Sequence, residues 1–217
     1  MNPTTIHTIR EVFFIQQVKK AISIYFQYGA RSPKKVNCIH GMLQKLIQYE
    51  IQEKNLPWVV KEEQKVDSIN ASGNKKCDLV VFDEKNNPIY VFPVKFIMTN
   101  YKQNKNNSWE NLTGETVQLK WANPTLNIVP INITLSKIPY LKSGGKIKYY
   151  EKIEYQNSFN VSEELVKRGI CSSIINIILC VEQTDEIDEN YNTLPTILGF
   201  SVDTPFPKYF IDPLGTQ

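Results

Sequence analysis

Apolar residues recur at helical spacing over residues 4–28, at Ile9, Val12, Phe13, Ile15, Val18, Ala21, Ile22, Tyr25 and Phe26. That is the stripe of an amphipathic helix. Gly29 ends it, and Ser32-Pro33 offers an N-cap followed by proline at the first helical position. Val36, Ile39, Leu43, Leu46, Ile47 and Ile51 predict a second helix reaching about residue 54. Beyond Pro57 the period shortens to two. Residues 58–66, 77–83 and 89–98 read as strands, with turns at Gly73-Asn74 and 84–88. Residues 100–107 read as a polar loop, and Ser108 as the cap of a third helix that ends before Asn123-Pro124. A strand at 128–135 follows, then a strand at 147–153, a short helix at 162–168 and strands at 174–181 and 197–202. This order predicts an α/β (α+β) chain with a central mixed sheet flanked by helices.

Two charges interrupt the pattern. In Cys77-Asp78-Leu79-Val80-Val81 the aspartate is the lone acid near the start of an apolar strand. Lys95 is the lone charge in the strand at 89–98, which is apolar on both faces. A charge among such neighbours is costly unless it has a partner or a task. Opposite charges on adjacent hairpin strands are expected to meet, as a plain salt bridge or as part of a site.

Asp78, a hairpin turn and then Lys95 resembles the D-x(n)-(D/E)-x-K signature of the PD-(D/E)XK nucleases, the type II restriction endonucleases in particular. The resemblance covers roughly residues 35–135, where the element order is similar to the family's αβββαβ core. It implies Mg2+-dependent, sequence-specific hydrolysis of double-stranded DNA, with Mn2+ as a substitute ion. In the family the aspartate and a second acid bind the metal, and the lysine orients the attacking water and neutralises the phosphate. A hard cation polarises the phosphoryl oxygen and lowers the pKa of its bound water, and a positive group stabilises the developing charge. The resemblance further implies one nuclease domain over 1–217, with helices at 1–56, a catalytic core at about 35–135 and C-terminal strands and a helix at 136–217. A symmetric homodimer would cut both strands.

The family's second acid would fall at position 93, where Pro93 stands. Proline binds no metal, so the carboxylate must come from elsewhere or the protein is an inactive DNA-binding relative. In some members it comes from the helix after the lysine strand. Here that helix offers Glu110 and Glu115, the latter beside Gly114, which permits close approach of backbone or ligand. Glu50, Glu62 and Glu63 are further candidates. Glu50 reads as a solvated helix residue, and the adjacency of Glu62 and Glu63 lets only one face the site. A third reading makes the Asp78–Lys95 pair structural, in a protein that does not touch DNA.

Charge modifies this only locally, since the net charge is +3. Tyr101, Lys102, Gln103, Asn104 and Lys105 follow the lysine strand and are expected to contact DNA, amides to base edges and lysines to phosphate. Lys142, Lys146 and Lys148 mark a second basic stretch within 140–150. The acidic run at 182–189 reads as a solvated loop. His40, in the second helix, could approach the site but reads first as a core or helix-surface residue; His7 stands apart from it. Cys38, Cys77, Cys171 and Cys180 lack the spacing of a zinc site and read as reduced, buried thiols. With neither a membrane-length apolar run nor a signal peptide, the chain is expected to be cytoplasmic.

Overall fold

The computed structural model describes residues 3–29, 32–142, 147–154, 160–182, 196–200 and 206–211. Two helices, α1 (Pro3–Tyr28) and α2 (Pro33–Glu53), open the chain. Ser32 Oγ accepts the Lys34 N–H at 3.3 Å and caps α2, with Pro33 in its first turn. The buried face of α1 is Phe14, Val18, Ala21, Ile22 and Tyr25. Ile9 and Val12, expected in the stripe, face solvent, and Phe14 takes their place in the core. The α2 stripe is buried as expected except for Val36.

Then come β1 (Val59–Asp67), β2 (Asn74–Phe82) and β3 (Pro88–Phe92), an antiparallel meander. The strand expected over 89–98 is two strands, β3 and β4 (Val94–Ile97), divided at Pro93. After α3 (Tyr101–Ala122), β5 (Asn127–Ile128) and β6 (Ile131–Leu135) run parallel to β3 and β4 respectively. Ile131 N–H donates to the Pro93 carbonyl at 2.8 Å, so the ladder bridges the break. Each half is four-stranded, in the orders β1-β2-β3-β5 and β10-β9-β6-β4, where β9 is Ile175–Glu182 and β10 is Thr196–Phe200. β9 is parallel to β6 and antiparallel to β10. The result is the expected mixed sheet flanked by helices.

Three local readings change. The polar loop at 100–107 is the first two turns of α3, and Ser108 is inside that helix rather than capping it. Asn100 stands at the N-cap position instead, in the left-handed region at φ 52° and without a side-chain capping bond. Buried Tyr101, Trp109, Leu112, Thr116 and Leu119 fall on one helical face, which is what carries the helix back to residue 101. Second, Lys137–Leu141 forms an additional strand, β7, paired with β8 (Ile147–Lys152). Pro139 within it hides the strand signal. A short helix, α4 (Asn160–Lys167), precedes β9. Finally, residues 206–211 return to the N-terminal helices, where Phe206 packs 5.3 Å from Phe14, ring centre to ring centre. No described helix is long and apolar enough to cross a membrane. Residues 183–189 of the acidic run and the side chain of His7 lie outside the described residues.

Candidate active site

The site is built where β2 and β4 part. β2 and β3 pair as far as Leu79 and Phe92, and continuing that register sets Asp78 opposite Pro93. Proline has no N–H to offer a ladder, so regular pairing ends there. Asp78 fills the opening. Its Oδ2 accepts the Val94 N–H at 2.7 Å, taking the place of a backbone carbonyl and fixing the carboxylate's orientation. Oδ1 is left facing His40, whose Nε2 is 3.9 Å away.

His40 reaches the sheet from α2. Its other ring nitrogen, Nδ1, lies 3.6 Å from Glu63 Oε1. Both separations exceed hydrogen-bonding length. Glu63 sits opposite Asp78 on β1, flanked by the pairs Glu62↔Leu79 and Gln64↔Cys77. Ligand atoms of His40, Glu63 and Asp78 all fall within 4.8 Å of one another. The histidine side chain is 4% exposed, that of Asp78 31% and that of Glu63 46%, so the cluster has a buried base and an open rim. Lys76 pairs with Glu63 at that rim.

Glu63 also has a left-handed backbone, φ 57°, in the middle of a strand. For a non-glycine residue this stores on the order of 1–3 kcal/mol and tends to persist at functional positions. Of Glu62 and Glu63, it is Glu63 that joins the cluster with His40 and Asp78. A Cβ placed on Gly41 of α2 would lie 3.6 Å from Glu62 Oε1, while Glu63 meets His40, so both acids approach α2.

Lys95 is half-buried on β4, in register with Asn132 of β6. Asn132 in turn donates to Asn176 Oδ1 at 2.8 Å. Glu115 comes from α3 and is 15% exposed, with Lys75 Nζ 3.6 Å from its carboxylate. Burial pushes its carboxyl above the ordinary range, Lys75 and Lys95 pull it down, and Asp78 pushes it up again. Glu115 therefore lies within electrostatic reach of both Asp78 and Lys95. Glu110 does not share this position. Five residues earlier, it points about 140° away around the helix and is exposed. Gly114 is not a point of close approach, since a Cβ there would meet nothing within 4 Å.

Glu50 is not solvated. It is fully buried, paired with Arg10 and Lys54, and accepts the backbone N–H groups of Phe210 and Ile211. Its task is to hold the C-terminal segment to the helices. Tyr101 is buried in the core, so its ring is not available to bases. Lys102, Gln103 and Asn104 are exposed on the first turn of α3 and Lys105 is half-buried. That turn adjoins the second basic stretch: Asn100 Oδ1 accepts the Leu141 N–H at 2.7 Å, and Glu151 of β8 accepts the Lys102 N–H at 3.2 Å. Lys142 and Lys148 are exposed nearby, and Lys146 lies outside the described residues.

The fold thus has mixed β-sheets flanked by helices, with His40, Glu63 and Asp78 gathered where β2 and β3 stop pairing, and Glu115 in electrostatic reach of Asp78 and Lys95. No protein-family model matches the chain, and no curated protein is similar to it in sequence. Among solved structures, a chain of the DrdV–DNA complex determined by cryo-electron microscopy is similar with a TM-score of 0.35 and 12% identity, over 72% of this chain. The present chain spans 13% of that chain's length, and a likeness this small says nothing of what this one binds.

Proposed function

We propose that this chain is a divalent-cation-dependent nuclease that hydrolyses phosphodiester bonds in double-stranded DNA, of the PD-(D/E)XK class and, in its fullest form, a site-specific restriction endonuclease acting as a homodimer. The observation that carries the reading is the company Asp78 keeps. Of the five candidate acids for the one missing at Pro93, Glu63 joins Asp78 and His40 within 4.8 Å, and Glu115 lies in electrostatic reach of both Asp78 and Lys95. That favours an active enzyme over an inactive DNA-binding relative.

The donor set fits a small divalent cation. Asp78 Oδ1 and the Glu63 carboxylate would hold it from the rim, with His40 beneath and Glu115 as the alternative second acid. Oxygen donors suit Mg2+, and an imidazole among them suits Mn2+ as well. Such an ion polarises the phosphoryl oxygen and acidifies bound water. The chain's own residues do the rest. The Val94 N–H aims the Asp78 carboxylate, as an outer partner aims a ligand. Lys95 presents a positive charge to the phosphate where charge develops. Buried His40 closes the base of the site to water.

The test is cleavage of unmethylated supercoiled plasmid by the purified chain in Mg2+ or Mn2+ against EDTA, alongside Asp78→Ala. The expected result is metal-dependent nicking and linearisation, lost in the variant. Cleavage that survives Asp78→Ala, or no cleavage with either metal, would overturn the active-nuclease reading.

A further inference from the structure

An open groove of about 350 Å³ runs between α1 and α2. Lys20 of α1 and Lys34 and Lys45 of α2 line it, with Gln17 and Asn37 between them and no acid. All three lysines are exposed. Lys34, Asn37, Gly41 and Lys45 recur at helical spacing along one face of α2. The ammonium of Lys34 rests 3.7 Å from the centre of the Tyr28 ring, which keeps that charge at the groove's mouth. On the floor, Cys38 Sγ donates to the Gln17 carbonyl at 3.7 Å, and Lys20 is close enough to oppose the upward push of burial on its thiol.

Like charges gathered around one concavity repel each other until an anion arrives. The size of the arrangement selects the anion. Lys34 and Lys45 are eleven residues apart, about 16 Å along the helix at a rise of 1.5 Å per residue. One phosphate or one nucleotide cannot touch both ends. A nucleic-acid strand can, because its phosphates advance by about 3.4 Å along the duplex axis. The groove passes Gly41, which is next to His40 in sequence and opposite Glu62 of β1.

We propose that the α1–α2 groove binds the phosphate backbone of duplex DNA and leads it to the Asp78 site. This rests on the nuclease reading above. It adds a contact surface on the N-terminal helices, in addition to the first turn of α3 and the β7–β8 hairpin.

The experiment is fluorescence anisotropy of a labelled duplex with the full chain in EDTA, where no cutting occurs, across a salt series. The probe is titrated with wild type, the triple variant Lys20→Gln/Lys34→Gln/Lys45→Gln and the corresponding triple arginine variant. The glutamine variant should bind at least about tenfold more weakly, and its slope of log affinity against log salt should be shallower by about 2–3, at roughly 0.9 per phosphate contact. The arginine variant should retain both. The three lysines are exposed, so the melting temperature should hold. A glutamine variant with wild-type affinity and slope would remove the groove from the DNA path while leaving the nuclease reading intact. A wild-type chain that binds no duplex at any salt would sink both.

Discussion

Glu50 is the most buried acid among the described residues and the one whose removal has the clearest consequence. Its Oε2 accepts from Arg10 Nη2 at 3.2 Å and the Phe210 N–H at 2.8 Å, and its Oε1 accepts from Lys54 Nζ at 3.1 Å and the Ile211 N–H at 2.9 Å. Four donors thus converge on two oxygens. Arg10 also holds the Lys208 carbonyl at 3.0 Å, so one carboxylate ties α1, α2 and the C-terminal segment together. Glu50→Ala leaves the buried Arg10 guanidinium without its counter-charge and two backbone N–H groups without an acceptor. Removing one partner of a buried ion pair costs about 3–5 kcal/mol, a large share of a total stability of about 5–15 kcal/mol. For a chain of this length each kcal/mol moves the melting temperature by about 2–4 °C, so the variant should melt roughly 6–20 °C lower. Circular dichroism melting reads the shift. Limited proteolysis should cut near residues 206–211 in the variant before the wild type. Glu110→Ala, at an exposed position, is the control and should stay within about 0.5 kcal/mol of wild type. A Glu50→Ala protein that melts within 2 °C of wild type would refute the account of the clamp.

Three further outcomes are expected. In a cleavage assay over a Mg2+ series, Glu63→Gln and Glu115→Gln should each be measured against Glu110→Gln; the variant that removes a metal ligand should need at least about tenfold more metal, and Glu110→Gln should need no more than wild type. Burial raises the Glu115 carboxyl, so its contribution to stability is greatest while it is protonated and is lost as pH rises through its folded value; Glu115→Gln should therefore gain in melting temperature relative to wild type as pH climbs above the ordinary glutamate range, and a difference that shrinks with pH would contradict the assigned cause. Burial pushes the thiols of Cys77 and Cys171 up to about 12 and about 11, so a thiol reagent at pH 8 should label half-buried Cys38 and Cys180 in the native protein and reach the other two only after unfolding.

Most elements were legible because burial enforces a period. The α2 stripe and the three antiparallel strands bury what their spacing predicts, and Ser32-Pro33 starts α2 where capping chemistry says it should. The misreading of the α3 start has one cause, polar residues whose role is set by distant partners. Residues 101–107 look like a loop because six of the seven are polar, yet Tyr101 alone buries into the core. Asn100 bonds β7 through both its side chain and its backbone, which places the start of the helix seven residues before Ser108. No local rule sees that, since β7 is some forty residues away in sequence.

The site divides along the same line. Asp78 and Lys95 stood out because charge in an apolar strand is conspicuous at short range. Glu63 did not, because it sits among polar neighbours, and His40 did not, because a lone histidine in an apolar helix segment reads equally well as a core residue. Alternation allowed only one of Glu62 and Glu63 to face the site without saying which; Glu63 is the one in the cluster, on a left-handed backbone that no strand period announces. The signal available in advance was Pro93. A proline where the antiparallel neighbour β2 would need an N–H breaks the ladder, and β2 then meets the Val94 N–H with a side chain. Asp78 does so with Oδ2, and that bond leaves Oδ1 turned to the histidine. Pro93 thus opens the sheet beside Asp78, where α2 brings His40 and β1 brings Glu63.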